Sequence, residues 1–175
     1  MRRLCFFALS FFLLKTVGQN FRTDKNIFLS GGVELGFPIY NNKTLSGYEF
    51  CTSMKMYALG FTASARYYLS PLSDFGSINT LFFGIGYCSP LRHLFSGFIE
   101  LGGSNSWPEH KSETGHRYES VGPSAVIGMN FRPVPEGRFL VTTSLRGFSY
   151  DIFYKSVREG GYSITASVGA IYTLY

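Results

Sequence analysis

Histidine, serine and acid side chains that could do chemistry gather in a few polar stretches of the 175-residue chain. The histidines are His93, His110 and His116, and the hydroxyls and acid near them are Ser104, Ser112, Ser120 and Glu113. A histidine held against a serine and steered by an acid can activate the hydroxyl for acyl transfer. The spacing does not build that relay. No His-x-Ser-Asn sequence occurs, and His93-Leu94-Phe95-Ser96 puts the serine one place too far along. His110, Glu113 and His116 could meet a surface metal ion, but their intervals match no zinc pattern. All three histidines read as solvated loop residues. The expectation is therefore no catalytic residue, no metal and no cofactor.

A second set carries charge rather than reactivity. Glu34, Arg66, Glu100 and Arg146 stand inside segments that alternate apolar and small polar residues, and all four share the small polar row. A basic residue facing lipid at mid-membrane costs roughly 2–4 kcal/mol. Two such residues would consume much of a stability of about 5–15 kcal/mol. Enclosed, they can neutralise one another. The expectation is a polar interior in which Glu34 and Glu100 pair with Arg66 and Arg146, plugged by Phe82, Phe98 and Phe148.

Those residues need strands to hold them. A period of two over residues 26–39, 56–69, 78–87, 95–103, 119–131, 139–148 and 162–175 marks seven strands, because successive side chains of a strand point to opposite faces. Residues 44–51 make a weaker eighth, with a turn at 52–55. Closed single-chain membrane barrels of bacteria have even strand numbers and keep both chain ends on the periplasmic side. Eight strands then leave short periplasmic turns at 52–55, 88–94 and 132–138. Two long polar loops, 104–118 and 149–161, lie outside the cell, where Trp107 and Tyr118 would anchor contacts. Tyr57, Tyr87, Phe95, Phe131, Phe139 and Tyr172 form an outward girdle at the periplasmic rim. Cys51 and Cys88 fall at that rim with one strand between them. Strands are about 4.8 Å apart and a disulfide needs Cα atoms within about 7 Å, so free thiols are expected.

The ends and the composition set the compartment. Arg2 and Arg3 precede an apolar run from Leu4 to Leu14, and Thr16-Val17-Gly18 offers small residues for cleavage. Residues 1–18 read as a secretory signal peptide and 19–175 as one domain. Arg2, Arg3 and Lys15 leave with the signal, so 13 of the 16 basic residues remain against 11 acids. That small surplus, without a basic stripe with interleaved aromatics, disfavours nucleic-acid binding, and no nucleic-acid partner is expected. Aromatics make up 18% and charged residues 15%, well below the roughly 25% charge of ordinary globular chains. No later apolar run is long enough for a membrane helix, which leaves a closed all-β barrel as the spanning structure.

Arg66-Tyr-Tyr-Leu-Ser-Pro71 and the terminal Gly169-Ala-Ile-Tyr-Thr-Leu-Tyr175, with the alternating strands, resemble small Gram-negative outer-membrane barrels of the OmpA/OmpX type. The resemblance implies an antiparallel, up-and-down, eight-stranded transmembrane β-barrel in the cell outer membrane. It implies contact with outer-membrane lipid and assembly by the barrel-assembly machinery, which reads alternate apolar residues and a terminal aromatic. Here Tyr172, Leu174 and Tyr175 stand at those places, with Tyr175 one position beyond the apolar row. A monomer with a structural or surface-interaction role, no open pore and no enzymatic activity is expected. Two rivals make different demands. A secreted lipocalin-like barrel would hold a hydrophobic ligand and place its apolar residues inside. A lipid-modifying barrel enzyme would bring a histidine and a serine together at the outer rim.

Overall fold

The computed structural model describes residues 27–41, 48–72, 76–89, 94–108, 116–134, 137–154 and 157–174. Eight strands follow in order: β1 (Ile27–Asn41), β2 (Glu49–Ala58), β3 (Phe61–Leu72), β4 (Gly76–Cys88), β5 (Phe95–Pro108), β6 (His116–Phe131), β7 (Phe139–Tyr154) and β8 (Val157–Leu174). Each pairs antiparallel with the next, and β8 returns to β1, so the sheet closes. The register fixes the shape. Stepping from Ile27 through Ala58, Phe61, Tyr87, Ile99, Ile127, Leu145 and Ala166 arrives back on β1 at Phe37, ten residues beyond the start. With about 3.3 Å per residue and 4.8 Å per strand, that stagger tilts the strands roughly 40° from the barrel axis. At eight strands and this tilt, the interior has room only for side chains.

Alternation decides the two faces. Val33, Phe83, Ile85, Leu101 and Ile127 are exposed on the outer wall, with Ile85 at 73%. Glu34, Arg66, Glu100, Thr142 and Arg146 are buried in the lumen, each at 3% or less. This is the reverse of a lipocalin-like soluble barrel, and that rival falls with it. The plug residues Phe82, Phe98 and Phe148 are all buried inside. Phe95 and Trp107, the outward aromatics at the two ends of β5, are twelve residues apart. At this tilt they are separated by roughly 30 Å along the axis, close to the hydrocarbon thickness of a bilayer.

One end of the barrel carries Ile27, where β1 begins, and Leu174, where β8 ends; we call it the near end and its opposite the far end. The near end departs from the sequence reading at β2. The turn lies at Leu59-Gly60, not at 52–55, and β2 runs over 49–58 rather than 44–51. Leu59 (φ 52°) and Gly60 (φ 87°) both sit in the left-handed region. That is the geometry of a two-residue hairpin whose twist matches its strands. Tyr57 therefore points inward and is buried, so it does not join the girdle; Phe61, on the other side of the turn, takes the outward place. Cys51 is not at a rim either. It pairs in register with Glu34 and Tyr68, well inside the barrel, and both Cys51 and Cys88 are free thiols.

The far end also differs. Most of 104–118 and 149–161 is strand rather than loop: β5 continues to Pro108, β6 begins at His116, and β7 and β8 stay paired out to Tyr154 and Val157. The β6–β7 ladder shifts register between Glu119 and Ser124, a β-bulge toward the far end.

Candidate functional site

The lumen is where the chain concentrates its costly residues. Arg66 on β3 lies between two carboxylates. Its Nη1 donates to Glu34 Oε1 on β1 at 2.9 Å, and its Nη2 donates to Glu100 Oε2 on β5 at 2.6 Å. All three side chains are fully enclosed. Hydroxyls complete both acids. Thr62 and Ser64 donate to Glu100 at 3.1 and 2.9 Å, while Ser144 and Ser167 donate to Glu34 at 3.0 and 2.7 Å. Charges enclosed this deeply are tolerated only when the remaining lone pairs are also satisfied. The small polar residues alternating with the apolar wall supply that second layer.

Arg146 does not join this group. Its Nη2 donates to Glu49 on β2, which also accepts from Ser70 at 3.0 Å. The guanidinium carbon lies over Tyr68, 3.6 Å from the ring centroid, and 4.4 Å from that of Phe148. Such contacts with aromatic faces strengthen once water is removed. The four residues marked in the sequence thus divide between two ion-pair groups. Glu34, Arg66 and Glu100 come together, and Arg146 takes a different acid because the true extent of β2 brings Glu49 into the lumen. Glu49 lies in 44–51, the weaker strand of the sequence reading, where the residues give no clear inward row.

Lys55 falls in 52–55, which the sequence reads as a turn. It is 1% exposed and points into the lumen, with Nζ 4.0 Å above the ring of Phe98. A polar residue four places before the Leu59-Gly60 turn, in phase with Glu49 and Cys51, is the signal the sequence offers.

The outer wall carries aromatics at the near end. Phe95 packs on Phe131 at 5.1 Å between centroids, and Phe139 on Tyr172 at 5.0 Å, as interfacial girdles do. Trp107 is exposed at the far end of β5. Tyr118 lies on β6 in register with Ile152. Leu174 pairs with Leu29. Tyr175, His93, His110, Ser112 and Glu113 lie outside the described residues. Ser104 is buried in the lumen, bonded to Ser124 at 2.7 Å. Among the described residues, no group of three or more His, Cys, Asp or Glu side chains could hold a metal.

The shape has known counterparts. The N-terminal β-barrel domain of Pseudomonas aeruginosa OprF superposes with a TM-score of 0.58 at 11% identity, over 83% of this chain and 97% of that one. Neisserial surface protein A superposes at 0.57 with 9% identity, over 85% and 97%. Ail, the attachment invasion locus protein of Yersinia pestis, superposes at 0.52 with 11% identity, over 84% and 97%. The fold is that of the small outer-membrane barrels. No protein-family model and no curated protein matches the chain in sequence. At these identities the likeness extends to architecture, and function has to be argued from the residues.

Proposed function

We propose that this chain is exported by its N-terminal signal and resides in the outer membrane as a closed barrel that presents a β-rich surface outside the cell. The near end, where β1 begins and β8 ends, faces the periplasm, and the far end faces out. The observation that carries the reading is the extension of β6, β7 and β8 past the barrel. The β5–β6 ladder ends at Ser106 and Ser120, and the β1–β8 ladder ends at Asn41 and Ser163. The β6–β7 and β7–β8 ladders continue to Tyr154 and Val157. Such a projection is a place to engage another molecule rather than to conduct one. The plugged lumen supports a role without an open pore, since Phe82, Phe98, Phe148 and the ion pairs occupy the cross-section.

An acyl-transfer enzyme is the weaker reading. It needs a histidine and a serine converging at the outer rim, while Ser104 is turned into the lumen. Membrane lipid, the assembly machinery and a surface partner recognised around Trp107 are the expected contacts of a monomer. Fractionation of intact cells with protease shaving tests the proposal. Cleavage within 109–115 from outside, with the rest of the chain protected in the outer-membrane fraction, is the expected result. Recovery in the soluble periplasm, or cleavage only after the envelope is opened, would overturn it.

A further inference from the structure

The outer wall is not evenly filled. A groove of about 720 Å³ crosses it toward the near end, over β4 to β8. The register explains the groove. One outward row runs through Ile99, Ile127, Leu145 and Ala166, and the next through Gly97, Met129 and Thr143. Ile99, Ile127, Met129 and Leu145 are bulky and exposed, while Gly97, Thr143 and Ala166 are too small to fill the space between them. At Gly97 an added Cβ would meet only the carbonyl oxygen of Gly128, at 3.9 Å. This stretch of wall lies between the near-end aromatics and Trp107, where hydrocarbon is the solvent. A void there forfeits dispersion contacts along its lining, and its apolar side chains give water nothing to bond to. A lipid chain, already in contact with the surrounding wall, supplies those contacts.

The near rim offers a place for the polar part of the same lipid. Arg138 is exposed just before β7, and its carbonyl accepts from the amide and the hydroxyl of Thr173 at 2.8 and 3.0 Å. Its Nη1 donates to the Tyr172 hydroxyl at 3.4 Å, and that hydroxyl can itself donate onward. A guanidinium beside a phenol hydroxyl complements the charge and the acceptors of a phosphate ester. Thr143 is five residues further along β7, roughly 13 Å up the barrel axis at this tilt. One leaflet is half of a hydrocarbon core of about 30 Å, so a chain hanging from a phosphate at Arg138 is long enough to pass through the groove.

We propose that the groove seats an acyl chain of one glycerophospholipid whose phosphate is bound by Arg138 and Tyr172. The site rests on the reading that this wall faces lipid, and the surface role of the far end can fail without affecting it.

A photoactivatable lipid tests the site. The folded barrel is reconstituted in phospholipid bilayers with phosphatidylglycerol carrying a diazirine midway along one acyl chain, and the labelled residues are mapped by peptide mass. Labelling should concentrate on 97–99, 127–129 and 143–145 about fivefold over the wall of β1 to β3, a preference of about 1 kcal/mol. A diacylglycerol with the same diazirine chain but no phosphate should label the wall evenly. Gly97→Phe fills the groove and should bring its labelling down to that of the rest of the wall. Gly103→Phe should leave the pattern unchanged, because Gly103 also faces outward on β5 with nothing within 4 Å of an added Cβ. Arg138→Gln should make the phospholipid probe behave like the diacylglycerol. Even labelling in the wild type, or equal patterns from the two probes, would overturn the proposal. So would a Gly97→Phe barrel labelled like the wild type. If Gly97→Phe fails to fold, the two probes on the wild type and on Arg138→Gln still decide the matter. A wall that takes up no label anywhere would overturn the lipid-facing reading itself, and the site with it.

Discussion

The outer wall and the lumen are made by the same eight strands, residue by residue in alternation, yet they tolerate error in opposite ways. On the wall each side chain meets a uniform apolar medium and has few specific neighbours. One hydrophobe replaces another cheaply there, and only a charge does serious harm. In the lumen the neighbours are specific: Glu34 accepts from Arg66, Ser144 and Ser167, and Glu100 from Arg66, Thr62 and Ser64. Removing one member leaves the others buried and unpaired. The wall therefore specifies location, and the lumen specifies one particular barrel.

The sharpest way to break this contrast is at Arg66. Arg66→Met should strand two enclosed carboxylates and cost at least about 3–5 kcal/mol, read as the urea midpoint of the barrel refolded in bilayers. Adding Glu34→Gln and Glu100→Gln should recover much of that loss, since the penalty lies in the unpaired charge. If the single variant loses less than the triple, the lumen network is not what holds the interior together. On the wall, Ile85→Arg should cost roughly 2–4 kcal/mol and slow membrane insertion. Ile85→Leu should be close to neutral in the same assay.

Smaller effects sharpen the picture. Phe139→Ala removes one half of the Phe139–Tyr172 pair, and a loss of about 1 kcal/mol beyond the area term is expected in a double-mutant cycle with Tyr172→Ala. Gly60→Ala should cost about 1 kcal/mol, because Gly60 has φ 87° and an alanine there is strained. The refolding yield and urea midpoint of that variant would show whether the β2–β3 hairpin needs its left-handed corner.

Much of the wall and the barrel closure was legible in the sequence. A period of two survives any uncertainty in strand ends, so Val33, Phe83, Ile127 and the enclosed Glu34, Arg66, Glu100 and Arg146 could be assigned without knowing where strands stop. What failed was the one place where parity is broken invisibly. Leu59-Gly60 is a turn of only two residues with none of the Asn, Asp or Pro that usually announce one. The alternation of β3 reads back through it without a visible fault. That error put Tyr57 outside and hid Glu49 and Lys55, and with Glu49 it hid the partner of Arg146. The far ends of β5 to β8 were misread for a different reason. Outside a bilayer both faces of a strand can be polar, so 104–118 and 149–161 lose the contrast that alternation needs.

One measurement bears most directly on the claim that apolar side chains face lipid while the ionised ones are enclosed. Trp107 is the only tryptophan, so Trp107→Phe gives a silent background into which single reporters can be placed. In bilayers of acyl-brominated lipid, Ile127→Trp in that background should be strongly quenched and Phe82→Trp should keep its emission. Quenching of the residue-82 reporter with a bright reporter at 127 would contradict the account.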